Sequence, residues 1–340
     1  MFINHINLDI IEVVSEKTMV KYMQDFEQLF TIAQMYYEQD LTQEEISKKL
    51  FISRSNISRL LKQAKDAGIV EVNVHYPFER KRRYESEFKR RYGIEDICIV
   101  DLSDSSGFEL YAQTTKKAAS YLNAKLNNNS IVALSCGNSL CGVVHELHPK
   151  KYLPNMQVVP LMGSIETPEP ILDSFYMVRQ MADVYKCKSQ MIMSPFRVDD
   201  EKMCSNLMKR PAIVEALTTA ENATIMVTGI GAKKQVGYLA KEEANEFFSS
   251  GAVGYIVGYY FDKNGVVIDK PKYYNKLICA SRKMFEIPER MAVVADPNKA
   301  EATLAALKGK LINCLVTNNI VANKILEADK DNEIKESSKV

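Results

Sequence analysis

The sequence predicts two architectures in one chain: a small winged helix-turn-helix in the N-terminal part, and behind it a larger α/β domain built on a parallel sheet. Three observations lead to this. Between Gln24 and Gly68, apolar residues recur at helical spacing and are interrupted by two strong helix-start signals. From Ile94 onward, short apolar runs alternate with helical patterns, as strand-helix-strand units require. At 340 residues the chain exceeds one typical core, which favours a small module joined to a larger one.

In the small module, Phe26, Leu29, Phe30, Ala33, Met35 and Tyr36 predict a first amphipathic helix from Gln24, ending near Asp40 and Leu41. Thr42 followed by Glu45 is a capping box that opens a short second helix, with Ile46 and Leu50 facing inward. Ser53 caps a third helix whose buried face is Ile57, Leu60, Leu61 and Ala64, and Gly68 stops it. Its other face is Arg54, Ser55, Asn56, Ser58, Arg59 and Lys62. An apolar side that fixes the helix and a polar side rich in Arg, Asn and Ser is what reading base edges and phosphates requires. Arg54, Ser55, Asn56 and Ser58 are the expected base readers, and Arg59 and Lys62 the expected phosphate contacts. The alternating run Ile69 to Val74, ended by Pro77, predicts the wing. A basic three-helix protein-interaction module is the competing reading of the same stretch.

The net charge is only +1, which is no nucleic-acid footprint by itself, but its distribution is uneven. Arg54 to Lys65 holds four basic residues and no acidic one, and Arg80 to Arg83 and Lys89 to Arg91 follow. The charged stretch Phe78 to Tyr92, with Tyr84, Phe88 and Tyr92 four residues apart, predicts a linker helix. No apolar run reaches bilayer-spanning length, so no membrane role is expected. Cys98, Cys136, Cys141, Cys187, Cys204, Cys279 and Cys314 are scattered without metal-ligand spacing, and no secretory leader precedes them. They read as reduced thiols of a cytoplasmic protein, with no metal, cofactor or disulfide framework implied.

In the large domain the strand candidates are Ile97 to Leu102, Ile131 to Ser135, Gln157 to Leu161, Ser189 to Met193, Thr224 to Thr228, Met291 to Ala295 and Cys314 to Thr317. Helix candidates include Phe108 to Leu126, Leu140 to Leu147, Ile171 to Val184, Lys299 to Leu307 and Ile320 to Leu326. Parallel sheets bind ligands in crevices at the carboxyl ends of their strands. Three loops with glycines fall there: Ser135 to Ser139, Met162 to Glu166 and Thr228 to Ala232. In the first, Gly137 permits a tight turn, and the next helix's free N–H groups with the Asn138 and Ser139 side chains form a cradle for an anion or hydroxyl. Glu166, Gly229 and Gly231 belong to the other two. Glu166 reads either as a partner for sugar hydroxyls or as an exposed carboxylate.

The stretches Leu41 to Ile46, Ser53 to Leu61 and Gly68 to Val70 closely resemble the DNA-binding end of the SorC/DeoR family of sugar-responsive transcriptional regulators. The effector domain of that family is similar at Val132 to Gly137, Val159 to Gly163, Gly229 to Gly231, Gly251 to Gly254, Phe261-Asp262 with Gly265, and Lys299 to Ala302. The resemblance runs from about Phe26 to Leu326 and implies a fold akin to ribose-5-phosphate isomerase and glucosamine-6-phosphate deaminase. It implies that Gly137, Asn138, Ser139, Gly163 and Ser164 hold the phosphate or hydroxyls of an effector, with Asp262 and Lys299 near its other end. The chain departs from the family pattern at Ser164, Asn138 and Tyr255.

The expected organisation is an extension over 1–24, the helix-turn-helix over 25–77, a linker helix over 78–93, an effector-binding and oligomerisation domain over 94–330, and a polar tail over 331–340. The expected partners are operator DNA, a sugar, polyol or sugar-phosphate effector, and further copies of the chain in a dimer or tetramer. The competing functions are a sugar-phosphate isomerase or deaminase with a fused DNA-binding end, and a purely architectural DNA-binding protein. Acid-base work on a sugar needs a tuned carboxylate or His in the cleft. None of His5, His75, His145 and His148 falls in the three loops, so no catalytic residue is expected.

Overall fold

The computed structural model describes residues 16–39, 41–70, 79–102, 107–149, 152–233 and 241–337. The chain divides into two compact units, Met1–Pro77 and Phe78–Val340. The first holds three helices: α1 (Glu16–Tyr37), α2 (Gln43–Leu50) and α3 (Arg54–Asp66). Their core is Ile32, Ile46, Ile57, Leu60 and Leu61, with Leu29, Met35 and Tyr36 packed around it. The helix starts follow the local chemistry. Thr42 Oγ1 accepts from the Glu45 amide at 3.3 Å while Glu45 Oε2 accepts from the Thr42 amide at 2.8 Å, closing the capping box. That backbone hydrogen bond, ahead of the side-chain one, holds the Glu45 carboxyl below its ordinary value. Ser53 caps α3, and Gly68, at φ +73°, takes the left-handed conformation that ends it. The first helix begins at Glu16, well before the expected Gln24, so the supposed extension is helical over its last part. Of the expected wing, Ile69 and Val70 form a bend and residues 71–74 lie outside the described residues.

The second unit opens with α4 (Glu79–Tyr92), β1 (Asp96–Val100), α5 (Gly107–Lys125), β2 (Ile131–Leu134), α6 (Asn138–His145), β3 (Gln157–Pro160), α7 (Ser174–Tyr185) and β4 (Lys188–Ser189). It continues with α8 (Glu201–Leu207), α9 (Pro211–Glu221), β5 (Ile225–Thr228), β6 (Gly231–Ala232), α10 (Lys241–Ser249), β7 (Gly254–Ile256) and β8 (Tyr259–Phe261). Last come α11 (Pro271–Tyr274), β9 (Glu289–Val294), α12 (Ala300–Lys308), β10 (Cys314–Asn318) and α13 (Asn319–Ser337). Seven strands form one sheet in the order β1-β10-β9-β5-β2-β3-β4, and every pair in it is parallel. Its central strands are buried along almost their whole length, which is why they read as unbroken apolar runs. The smaller sheet, β6-β7-β8, is antiparallel and was not foreseen.

Several boundaries differ from expectation for local reasons. The strand expected over Ser189 to Met193 shrinks to β4, a two-residue exposed edge. The helix expected from Ile171 begins at Ser174, because Pro170 opens a separate 3₁₀ turn and Asp173 then supplies the N-cap. The final helix runs on to Ser337, through what composition suggested was a polar tail.

A polar hub fastens α4 to the rest of this unit. Asp329, on α13 and 4% exposed, receives the Lys308 ammonium of α12 at 2.7 Å on one oxygen. Its other oxygen accepts from the Tyr92 hydroxyl at 2.9 Å and from Arg91 at 3.2 Å. Burial pushes this carboxyl up, but the hydrogen bonds and neighbouring cations outweigh it and hold it below its ordinary value. The Tyr84 hydroxyl adds a hydrogen bond to Asn323 at 2.6 Å.

Candidate effector cavity and nucleic-acid interface

The sheet order dictates where a ligand can enter. From β2 the chain crosses to β3 on one side, and β5 lies on the other, so the connections diverge at the carboxyl ends of β2 and β5. A cavity of about 470 Å³ opens there. Ser135, Cys136, Gly137, Asn138 and Ser139 from the loop after β2, Ile165 and Glu166 from the loop after β3, and Gly229, Ile230 and Gly231 after β5 all line it. Thr167, Pro168, Leu172, Tyr255, Val257 and Lys299 complete the wall.

Gly137 is the N-cap of α6 with φ 108° and ψ 173°, a region open to glycine and hardly to any other residue. Its carbonyl accepts from the amides of Leu140 and Cys141, and its own amide donates to Leu172 O at 3.1 Å. The first amides of α6, at Asn138 and Ser139, have no intrahelical acceptor and make up the helix's positive end. The Tyr111 hydroxyl donates to the Asn138 carbonyl, and burial pushes its phenol up to about 12.

Lys299, the residue before α12, lines the same cavity. Burial lowers its ammonium pKa, Asp296 partly offsets that, and among the described residues its Nζ has no ion-pair partner. A half-buried cation with no ion pair among the described residues, in the same cavity wall as the first amides of a helix, is chemistry for an anion or a densely hydroxylated molecule. Tyr255 forms the floor. Its ring lies so close over Gly231 that a Cβ there would come within 2.0 Å of it, which makes glycine obligatory in β6. Burial pushes the Tyr255 phenol up, so it stays a neutral hydroxyl.

Three expected effector residues stand elsewhere. Gly163 is buried away from the cavity, where a Cβ would meet the carbonyl oxygens of Ser194 and Pro195 at 2.5 and 2.6 Å; it is glycine for backbone crossing. Ser164 gives its hydroxyl to Asp173 Oδ2 at 2.7 Å, and the same oxygen accepts from the Ile165 amide at 2.9 Å. Asp262 accepts from the amides of Asn264 and Val266, both at 2.9 Å, and so holds its own turn against the end of α12 rather than reaching the cavity. Glu166 lines the mouth, exposed, at φ 51°. Asp173, which fixes the second loop and caps α7, was missed because its partners lie 8 and 9 residues away.

In the N-terminal unit, α3 buries Ile57, Leu60, Leu61 and Ala64 and leaves Arg54, Ser55, Ser58, Arg59 and Lys62 exposed, with Asn56 half-buried. The Arg59 guanidinium grips Asn56 Oδ1 through Nε at 3.1 Å and Nη2 at 2.8 Å. This pair holds the long Arg59 side chain against Asn56 before any partner arrives.

A helix-turn-helix with a polar, basic third helix, together with a parallel α/β unit holding a polar cavity at its strand ends, defines the class: an effector-responsive DNA-binding transcriptional regulator. Comparison with known proteins agrees. The Sugar-bind model, that of a sugar-binding domain, matches residues 76–327, and a MarR-family model matches residues 25–76. The chain belongs to this sugar-binding family, among the SorC/DeoR-type regulators. It is 29% identical to the transcriptional regulator LsrR of Escherichia coli K12 over 312 residues, 89% of this chain and 95% of that one. It is 25% identical to the sorbitol operon regulator of Klebsiella pneumoniae over 313 residues, 89% of this chain and 98% of the other. The fold matches the full-length crystal structure of that sorbitol regulator, SorC, with a TM-score of 0.82, 23% identity and coverage of 89% of this chain and 99% of the other. A DeoR-family regulator from Listeria monocytogenes matches at TM-score 0.67 and 23% identity, over 73% of this chain and all of its own. Among the described residues no helix is long and apolar enough to cross a membrane.

Proposed function

We propose that the cavity at the ends of β2 and β5 takes a sugar, polyol or sugar phosphate, and that this ligand sets the affinity of α3 for the operator of a carbohydrate or polyol operon. The observation that supports this most is the convergence of three glycine-bearing loops, the start of α6 and the unpaired Lys299 on one cavity. Gly137, Asn138, Ser139 and Lys299 take the anionic or hydroxyl-rich end. Glu166 and Tyr255 hydrogen-bond further hydroxyls, while Gly229 and Gly231 let the chain approach closely. On α3, Arg54, Ser55, Asn56 and Ser58 read bases, and Arg59 and Lys62 hold phosphates. The chain acts as a dimer or tetramer, so that two recognition helices meet two half-sites, and the effector works by binding the DNA-competent and incompetent arrangements with different affinity.

The effector is bound and released unchanged in this reading. His145 and His148 are exposed and stand outside the cavity wall, whose one carboxylate is the exposed Glu166. Purified protein is titrated with sugars, polyols and their phosphates while operator affinity and product formation are both followed. Saturable binding that alters DNA affinity without turnover supports the proposal; turnover establishes an enzyme; binding of none of them leaves a scaffold. Replacing Arg54 or Asn56 by Ala costs about 1–3 kcal/mol of operator affinity and relaxes sequence preference. Replacing Lys62 lowers the salt dependence by about one phosphate contact. Unchanged affinity in all three variants rejects α3 as the reader.

A further inference from the structure

The turn between α2 and α3 carries a large apolar side chain that the core of the N-terminal unit does not take. Leu50 and Ile52 pack against that core, while Phe51 between them turns its ring outward and stands 96% exposed. No other large apolar side chain among the described residues is as bare. Its backbone lies at φ 56° and ψ 35°, the left-handed region that helix ends fill with glycine or asparagine and in which a bulky residue is an outlier. Ser47 holds the turn in that shape from both sides. Its carbonyl accepts from the Phe51 amide and, at 3.2 Å, from the Ile52 amide, and its hydroxyl donates to the Ile52 carbonyl at 2.6 Å. The ring thus sits on a fixed mount, at a backbone cost that no packing against the unit's core offsets.

We infer that Phe51 packs on the 5-methyl group of a thymine in the major groove, beside the bases that α3 reads, and so adds an apolar contact to the polar reading by that helix. The inference rests on the function proposed above. Ser53, the N-cap of α3, is two residues on, and two residues of chain span at most about 7 Å, the rise of two base-pair steps. A ring mounted there enters the groove with the start of the helix. The thymine methyl is the apolar group that a base pair presents to that groove, and Phe is among the side chains that suit it. The surrounding charge selects nucleic acid over protein. From Ser47 to Lys65 the sequence carries six basic residues and no acidic one, and Lys48, Lys49 and Arg54, all exposed, lie within three residues of Phe51. Protein interfaces are poor in Lys at their centre, and one ring falls far below the area they bury. In a DNA groove the phosphates take the cations while the methyl takes the ring.

The test uses the full chain and the duplex site that the wild type enriches from a random-sequence DNA pool. Each thymine of that site is replaced in turn by deoxyuracil, which removes the methyl and keeps every hydrogen-bonding group. For the wild type, one such replacement is expected to weaken binding about fourfold, the worth of one methyl-sized group taken out of water. Phe51→Gly is expected to bind the unmodified site about tenfold more weakly and to show no further loss on that replacement. Phe51→Asn, which keeps a Cβ and tolerates the left-handed backbone, is expected to do the same. Neither variant is expected to lower the unfolding midpoint, and the slope of affinity against salt stays at the wild-type value, because no phosphate contact is lost. Phe51→Gly binding as tightly as the wild type, or responding as the wild type does to every deoxyuracil, overturns the thymine contact. If Arg54→Ala weakens the same site while Phe51→Gly leaves it intact, this contact alone falls and α3 stands as the reader. A wild type that enriches no site overturns the proposed reading by α3 and this contact with it.

Discussion

At the scale of single residues, the cavity places its demands on backbone freedom and on one cation. Gly137→Ala is expected to cost about 1–3 kcal/mol in stability, read from thermal or urea unfolding, because its dihedrals are strained for any residue with a Cβ. Crowding is not the cause, since an added Cβ meets no atom within 4 Å. Gly231→Ala acts oppositely: its Cβ meets the Tyr255 ring, so the ring shifts and effector affinity falls more than stability does. Lys299→Met removes the unpaired ammonium, and calorimetry with an anionic sugar is expected to show at least a tenfold weaker complex, about 1.4 kcal/mol or more. Burial lowers the Lys299 pKa, so in the wild type that affinity declines as pH rises through the lowered value, while Lys299→Arg stays charged and flattens the decline.

At the scale of elements, legibility followed the range of the forces. Helices α2 and α3 could be read almost to the residue because their ends are fixed by partners three residues away: Thr42 with Glu45, and Ser53 with the Asn56 amide at 3.4 Å. The central strands were equally legible as buried apolar runs. The antiparallel trio β6, β7 and β8 was not, since strands of two and three residues are too short to show a period. Asp173 and Ser164 escaped for another reason, as their bond joins two loops that only the fold brings together. The hub at Asp329 is of that long-range kind and gives a prediction at this scale. Asp329→Ala is expected to cost about 3 kcal/mol, because it strips the acceptor from Lys308, Arg91 and Tyr92 together. Its folded-state carboxyl lies below the ordinary value, so the stabilisation is fully present above about pH 4 and disappears as pH falls through the lowered value. Denaturation curves at neutral and acid pH should therefore converge for wild type and Asp329→Asn as acidity increases.

At the scale of the whole molecule, the sequence pointed to two modules and to a cavity at the strand ends, whereas the identity of the wall was only partly legible. Gly137, Asn138, Ser139, Glu166, Gly229, Gly231 and Lys299 come together, while Gly163, Ser164 and Asp262 support backbone crossings and turns nearby. Glycine-rich strand ends look alike in sequence whether the glycine admits a ligand or a neighbouring chain segment; only packing tells them apart. Helix α12 has its first end in that wall and its last turn on the hub. Lys299 precedes it, Lys308 closes it, and nine residues of α-helix make a rod of about 13 Å between them. A stiff rod transmits displacement rather than absorbing it, so whatever draws the Lys299 end inward tugs at the carboxylate gripping Arg91 and Tyr92. The last residues of the helix that follows the DNA-reading unit in the chain are thus moored to the far tip of a lever whose handle lies in the pocket.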